Sequence, residues 1–194
     1  MLGAENITWE HCRAVTEELL GRLEELNDDF VAGLNRGGGL YVVAYAGTEL
    51  GGGSLWGEQT PRVVFIGKSK HDSSRHFLSG NTGISTIRRS LAALLANELG
   101  LVPIPRSKDE DDNDRYDNYM LDLESEDKLT EWMRSNFTAA FHEVSEDIAE
   151  NTHKALIQYS VPMFNFQNNP ENKYGAEIKK YRKRLAEQAR QNDN

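Results

Sequence analysis

The sequence predicts a mixed α+β fold in which a small sheet is bordered by helices. Two short apolar, β-branched runs, Gly39–Tyr45 and Val63–Ser69, are separated by turn-forming residues with no helix-period segment between them, which marks neighbouring antiparallel strands. A third run over 138–144 alternates as a strand does. Around these runs, apolar residues recur at three- and four-residue spacing, the signature of amphipathic helices.

Residues 8–34 read as one helix or a helix pair, because Val15, Leu19, Leu23, Leu26, Phe30 and Leu34 keep helical spacing. Thr8 is the expected N-cap, and the glycines at 37–39 are the stop. The strand pair follows, joined by a glycine-rich connection over 48–61. Residues 71–79 are expected to form a short helix entered through Asp72, Ser73 and Ser74. A loop at 80–83 leads to a helix over 85–99. Its apolar face is Ile84, Ile87, Leu91, Leu94, Leu95 and Leu99, its stop is Gly100, and Arg88 and Arg89 are expected on or near the solvent side.

Residues 106–117 are acidic and aperiodic, and are expected to form a loop or a disordered insert. The calcium-loop pattern is absent from them. Residues 119–123 fit a short strand, and Ser125 is the expected cap of a helix carrying Leu129, Trp132, Met133 and Phe137. After the third strand, Ser145 starts a helix with Ile148, Thr152, Ala155, Leu156 and Tyr159 on its inner side, and Pro162 ends it. A polar and aromatic loop covers 164–170. Residues 174–190 read as a helix with a narrow stripe of Ile178, Tyr181 and Leu185, surrounded by Lys179, Lys180, Arg182, Lys183 and Arg184. Three parts are therefore expected: a helical extension over 1–36, a main domain over 37–170 with the acidic insert inside it, and a basic helical tail over 171–194.

The 194 residues carry a formal net charge of −9, which argues against a general polyanion binder. The charge is uneven, however. Residues 106–150 hold fifteen acidic and five basic side chains, while 68–89 hold Lys68, Lys70, Arg75, Arg88 and Arg89 against Asp72 alone. The tail from 171 has seven basic and four acidic residues. No apolar run approaches the roughly 18 residues that span a bilayer, and the amino-terminal stretch lacks the pattern of a signal peptide. One cysteine, Cys12, permits no internal disulfide and no cysteine-based metal site. A cytoplasmic location without a membrane partner is the expectation, and the sequence sets no oligomeric state.

Gly67-Lys68-Ser69 suggests a phosphate-binding loop, but that motif needs a glycine where Arg62 stands, and it needs its strand before the loop. The nucleoside-triphosphate reading is rejected. A different pattern fits better. Gly39-Leu40-Tyr41, Phe65-Ile66-Gly67, Arg75 eight residues after that glycine, the helix from Ser85 to Leu95, and Ala155-Leu156-Ile157 followed by Pro162-Met163-Phe164-Asn165 occur in an order that resembles the GIY-YIG nuclease family. The resemblance covers about residues 39–170.

The resemblance implies a small three-stranded antiparallel sheet flanked by helices, and hydrolysis of a DNA phosphodiester with one divalent metal, magnesium or manganese. Tyr41 would position or deprotonate water, Arg75 would hold the phosphate, and Asn165 would orient groups around them. Lys68 would hold a phosphate or lower the pKa of a neighbouring tyrosine. Lys70, His76, Arg88, Arg89, Lys180 and Lys183 are the candidate DNA contacts. Two departures stand out. Phe65 replaces the tyrosine of the second signature, and His153 replaces the metal-binding glutamate. Imidazole is a poor partner for magnesium, which takes oxygen ligands. Glu150, one turn earlier on the same helix, is the candidate replacement ligand beside His153. The same departures imply an alternative, a catalytically degenerate nucleic-acid-binding module of this fold.

Overall fold

The computed structural model describes residues 7–34, 38–45, 47, 50, 63–69 and 80–193. Thr8 starts the first helix, α1 (Trp9–Gly21), by accepting the His11 N–H on its Oγ1 at 3.2 Å. The helical periodicity then continues in the sequence but not in the backbone. Arg22 closes α1, and Glu24–Glu25 form a two-residue strand, β1. Asn27 next caps α2 (Asp28–Leu34), its Oδ1 accepting the Phe30 N–H at 2.9 Å. Residues 8–34 are thus a helix pair with a strand inside it. Leu26 is buried in this break as it would be on a helix face, which is why spacing alone did not reveal it.

The sheet has the order β1-β6-β2-β3, built from β2 (Gly39–Tyr45), β3 (Val63–Ser69) and β6 (Phe137–Glu143) with β1 at one edge, all antiparallel. The expected three strands are present; β1 makes a fourth by pairing Glu24 with Ala139 and Glu25 with Thr138. The central strand β2 is buried along its whole length. Alternation then sorts its side chains. Leu40 and Val42, with Ile66 of β3 and Ala140 of β6, form one core with Cys12, Val15 and Leu19 of α1 and with Leu156 and Ile157 of α5 (Glu146–Ser160). Tyr41, Val43 and Tyr45 occupy the opposite face, where Tyr45 meets Phe137 edge-on at 6.0 Å.

A second unit of the chain comprises a 3-10 turn (Thr82–Ile84), α3 (Thr86–Leu99), β4 (Pro103–Ile104), β5 (Met120–Leu121), α4 (Leu123–Asn136) and α6 (Gly175–Asn192). Ser85 caps α3 through the Arg88 N–H. The short strand expected over 119–123 is β5, and it pairs with β4 in a ladder of its own. Ser125 is not the cap of α4. Asp122 takes that role, its Oδ1 accepting the Ser125 N–H at 2.9 Å, while Ser125 Oγ accepts the Val102 N–H. The acidic insert forms turns stapled by a two-pronged Arg106–Asp112 pair at 2.6–3.1 Å. The basic helix α6 buries Ile178, Leu185, Ala186 and Ala189 and packs with α3 and β4.

One backbone position stores strain. Val161 closes α5 in the left-handed region at φ 47°, where a β-branched side chain is unfavourable. Its N–H still reaches the Ile157 carbonyl at 2.9 Å, and Pro162 follows to stop the helix. Val161→Gly is expected to stabilise the protein by about 1 kcal/mol, read as a raised midpoint in urea.

Candidate active site

The two signature strands meet in a register that explains their glycines. Tyr41 of β2 pairs with Gly67 of β3, and Gly39 pairs with Glu143 of β6. The Tyr41 ring lies directly over Gly67, so that a Cβ there would overlap its Cζ and hydroxyl; the Phe141 ring lies over Gly39 in the same way. Phe65 flanks Tyr41 at a ring separation of 6.1 Å. Tyr41 is only 2% exposed, and burial raises its phenol above the ordinary range. The hydroxyl is therefore neutral near pH 7. It can orient a partner by hydrogen bonding, whereas a tyrosinate base is disfavoured.

The next residue along β3 points the other way. Lys68, paired with Leu40, lies on the α5 side of the sheet and forms an ion pair with Glu150, 82 residues on. Lys154 reaches the same carboxylate from one helical turn ahead at 3.2 Å. Hydrogen bonds from Lys68 and then Lys154 lower the Glu150 pKa to about 2. His153 Nε2 lies 3.2 Å from the Ile66 carbonyl oxygen. That oxygen can only accept, so Nε2 carries the proton. Burial, opposed by this bond and aided by the Lys68 charge, lowers the pKa of the imidazole.

Asn165 completes the arrangement at the outer edge of β3. Its Oδ1 accepts the Ile66 N–H at 2.9 Å, and its Nδ2 donates to the Ile66 carbonyl at 2.8 Å. The loop that presents it is tied down in turn. Asn169 and Asn172 donate to the Asn165 carbonyl at 3.0 Å each, and the Phe164 N–H bonds the Val64 carbonyl. Beside the end of β3, a cavity of about 400 Å³ is lined by Gly39, Lys68, Ser69, Glu143, Ser145 and Glu146.

The structure thus brings Lys68, Glu150, His153 and Asn165 together around β3 and leaves Tyr41 on the other face of the same strands. Lys154, which sequence reasoning missed, belongs to the cluster; its four-residue spacing from Glu150 was the available signal. Arg75, Lys70 and His76 lie outside the described residues. Lys180 and Lys183 are exposed on α6, with Lys180 also 3.0 Å from Glu177.

Arg88 and Arg89 correct an expectation. They are interior side chains, not a solvent-facing pair. Arg88 is fully buried, its guanidinium bonded to the Glu126 carboxylate at 2.6 Å, to the Glu126 carbonyl and to Thr130. Arg89 donates to the Thr82 and Gly83 carbonyls, and burial beside Arg182 lowers its pKa to about 10. Apolar residues on both sides of the pair in α3 carry the whole helix inward, so Arg88 meets a carboxylate and Arg89 meets carbonyl oxygens inside the fold rather than solvent.

A family model described as the GIY-YIG catalytic domain matches residues 54–184. The chain belongs to this family. The match includes the second signature strand, α3, α5 and Asn165, and Gly39-Leu40-Tyr41 stands just before it. No curated protein and no solved structure matches the chain. The family defines a nuclease-type domain, and its nucleases generally depend on a divalent metal. No helix among the described residues is long and apolar enough to cross a membrane.

The described residues do not fit such a metal. Among the described residues, no three His, Cys, Asp or Glu side chains converge. Glu150 is held by two ammonium groups, and His153 spends its Nε2 proton on a backbone carbonyl. A hard cation such as magnesium demands several oxygen ligands, and here the Glu150 carboxylate is already paired with two ammonium groups.

Proposed function

We propose that this chain engages the phosphodiester backbone of DNA at the end of β3 and hydrolyses it as an endonuclease of the GIY-YIG type. The observation that carries the reading is the Lys68–Glu150–Lys154 cluster beside the paired signature strands. It places two ammonium groups around one carboxylate beside β3, next to a cavity of about 400 Å³ that Lys68 also lines. Cations fixed in place before the reaction stabilise the charge that builds on a phosphate under attack without further rearrangement. In this reading Lys68 holds a phosphate oxygen, and Arg75 supplies the planar guanidinium that grips two of them. Asn165 fixes the backbone of Ile66, two residues before Lys68 on the same strand. Tyr41, on the opposite face, contributes a ring that sets the position of Gly67. Lys180 and Lys183 on α6 serve as further backbone contacts.

The test is nicking of supercoiled plasmid, assayed with magnesium, with manganese and with a chelator. The expected result is relaxed circles from the wild type and loss of at least a hundredfold in Arg75→Ala, as for removal of one preorganised donor to a developing anion. Tyr41→Phe keeps the ring over Gly67, so any loss there reports the hydroxyl alone. Plasmid left intact in all three conditions would exclude turnover.

A second reading, binding of DNA without cleavage, is favoured by one observation: the carboxylate nearest His153 is occupied by lysines. It predicts a salt-sensitive mobility shift on intact duplex, weakened by Lys183→Glu with a shallower salt dependence.

A further inference from the structure

Three charged groups and one imidazole on two elements decide what this site can hold. Lys68 comes from β3, and Glu150, His153 and Lys154 come from α5. Around Glu150 two ammonium groups outnumber one carboxylate, while Glu143 and Glu146 line the cavity with Lys68. The side chains of the cluster are partly open to solvent, with 31% of Lys68, 51% of Glu150 and 45% of Lys154 exposed. A ligand can therefore reach the charge. A divalent ion would have to displace both ammonium groups from Glu150 and then sit beside them, against their repulsion at close range. The imidazole gives no help, since its Nε2–H is directed at Ile66.

We propose that this protein carries its own cation here: Lys68, fixed by Glu150 and supported by Lys154, meets a DNA phosphate directly, with no divalent ion between them. The proposal rests on the reading above that the site faces DNA. It departs from the metal use general in the family, and it assigns Lys154 and Glu150 as positioning residues. Glu150 orients the ammonium group, and Lys154 restores the charge that Glu150 removes. Histidine at position 153 suits this arrangement because a neutral imidazole, unlike a second carboxylate, does not attract a cation to the same turn.

Two measurements on the full chain test the proposal. Calorimetric titration of manganese and of magnesium into the wild type is expected to show no stoichiometric uptake. The Lys68→Met/His153→Glu variant, which removes one of the two ammonium groups on Glu150 and adds a second carboxylate, should bind manganese at least tenfold more tightly than the wild type. Uptake of one ion per chain by the wild type, abolished in Glu150→Gln, would overturn the inference. In the second measurement, a labelled duplex followed by fluorescence anisotropy should bind equally, within twofold, in chelator and in magnesium, with about a tenfold loss in Lys68→Met. Binding that disappears in chelator would also overturn it. No duplex binding in any condition would instead sink the functional reading, and the metal titration would still decide whether Lys68 excludes the ion. Circular-dichroism melts of each variant separate these outcomes from loss of fold.

Discussion

Glu126→Ala is expected to lower stability by about 4 kcal/mol, the range found when one partner of a buried ion pair is removed. Glu126 is the hub of the second unit. Its carboxylate accepts from the Arg88 guanidinium at 2.6 Å, from the Thr82 N–H and hydroxyl at 2.7 and 2.8 Å, and from the Leu121 N–H at 3.3 Å. Truncation would leave a fully buried guanidinium without its counter-charge and would release the 3-10 turn that precedes α3. For a chain of this length about 3 °C of melting temperature is lost per kcal/mol, so a drop of about 12 °C should be seen by calorimetry. The double change Arg88→Met/Glu126→Leu should recover most of it, because apolar groups of similar volume remove both charges together. If Glu126→Ala melts within a few degrees of the wild type, the pair is not what fixes α3 to α4.

The second large effect is expected at Gly67→Ala, at about 3 kcal/mol by urea unfolding. The added methyl would overlap the Tyr41 ring, and that ring cannot swing away because it is enclosed against Phe65. The same substitution in a Tyr41→Leu background should cost under about 1 kcal/mol, and the difference is the coupling between the two signatures. Equal cost in both backgrounds would show that the glycine is required for some other reason. The signature glycine is here a packing device: it lets an aromatic ring of one strand lie flat across the next.

Much of this was legible before any coordinates. Gly39–Tyr45 and Val63–Ser69 announced themselves as strands by β-branched runs and stayed within those bounds, and the family could be recognised from five segments in order, of which all but Gly39-Leu40-Tyr41 lie within the matched residues 54–184. What failed has a physical pattern. Arg88 and Arg89 looked solvated because sequence shows a charge but not its partner, and Glu126 stands 38 residues away from Arg88. β1 escaped notice because two glutamates carry no strand propensity and Leu26 is buried in register with the helices around it. The Lys68–Glu150 pair joins residues 82 apart, which no local window can see. The sequence did flag Glu150 and His153 as the odd pair, but only the geometry shows that two lysines meet the carboxylate.

The Asn165 side chain has a consequence beyond the site. With its amide it takes up both the N–H and the carbonyl of Ile66, while Phe164 takes the Val64 carbonyl. An asparagine side chain thus imitates a peptide unit and ends the ladder on the β3 side. On the opposite side the sheet ends in β1, only two residues long and both glutamate. Among the described residues, neither border offers another polypeptide a long row of vacant donors and acceptors to zip onto, the usual route by which exposed sheets aggregate or exchange strands. Whatever this domain recognises, it reads through side chains rather than by lending a sheet edge.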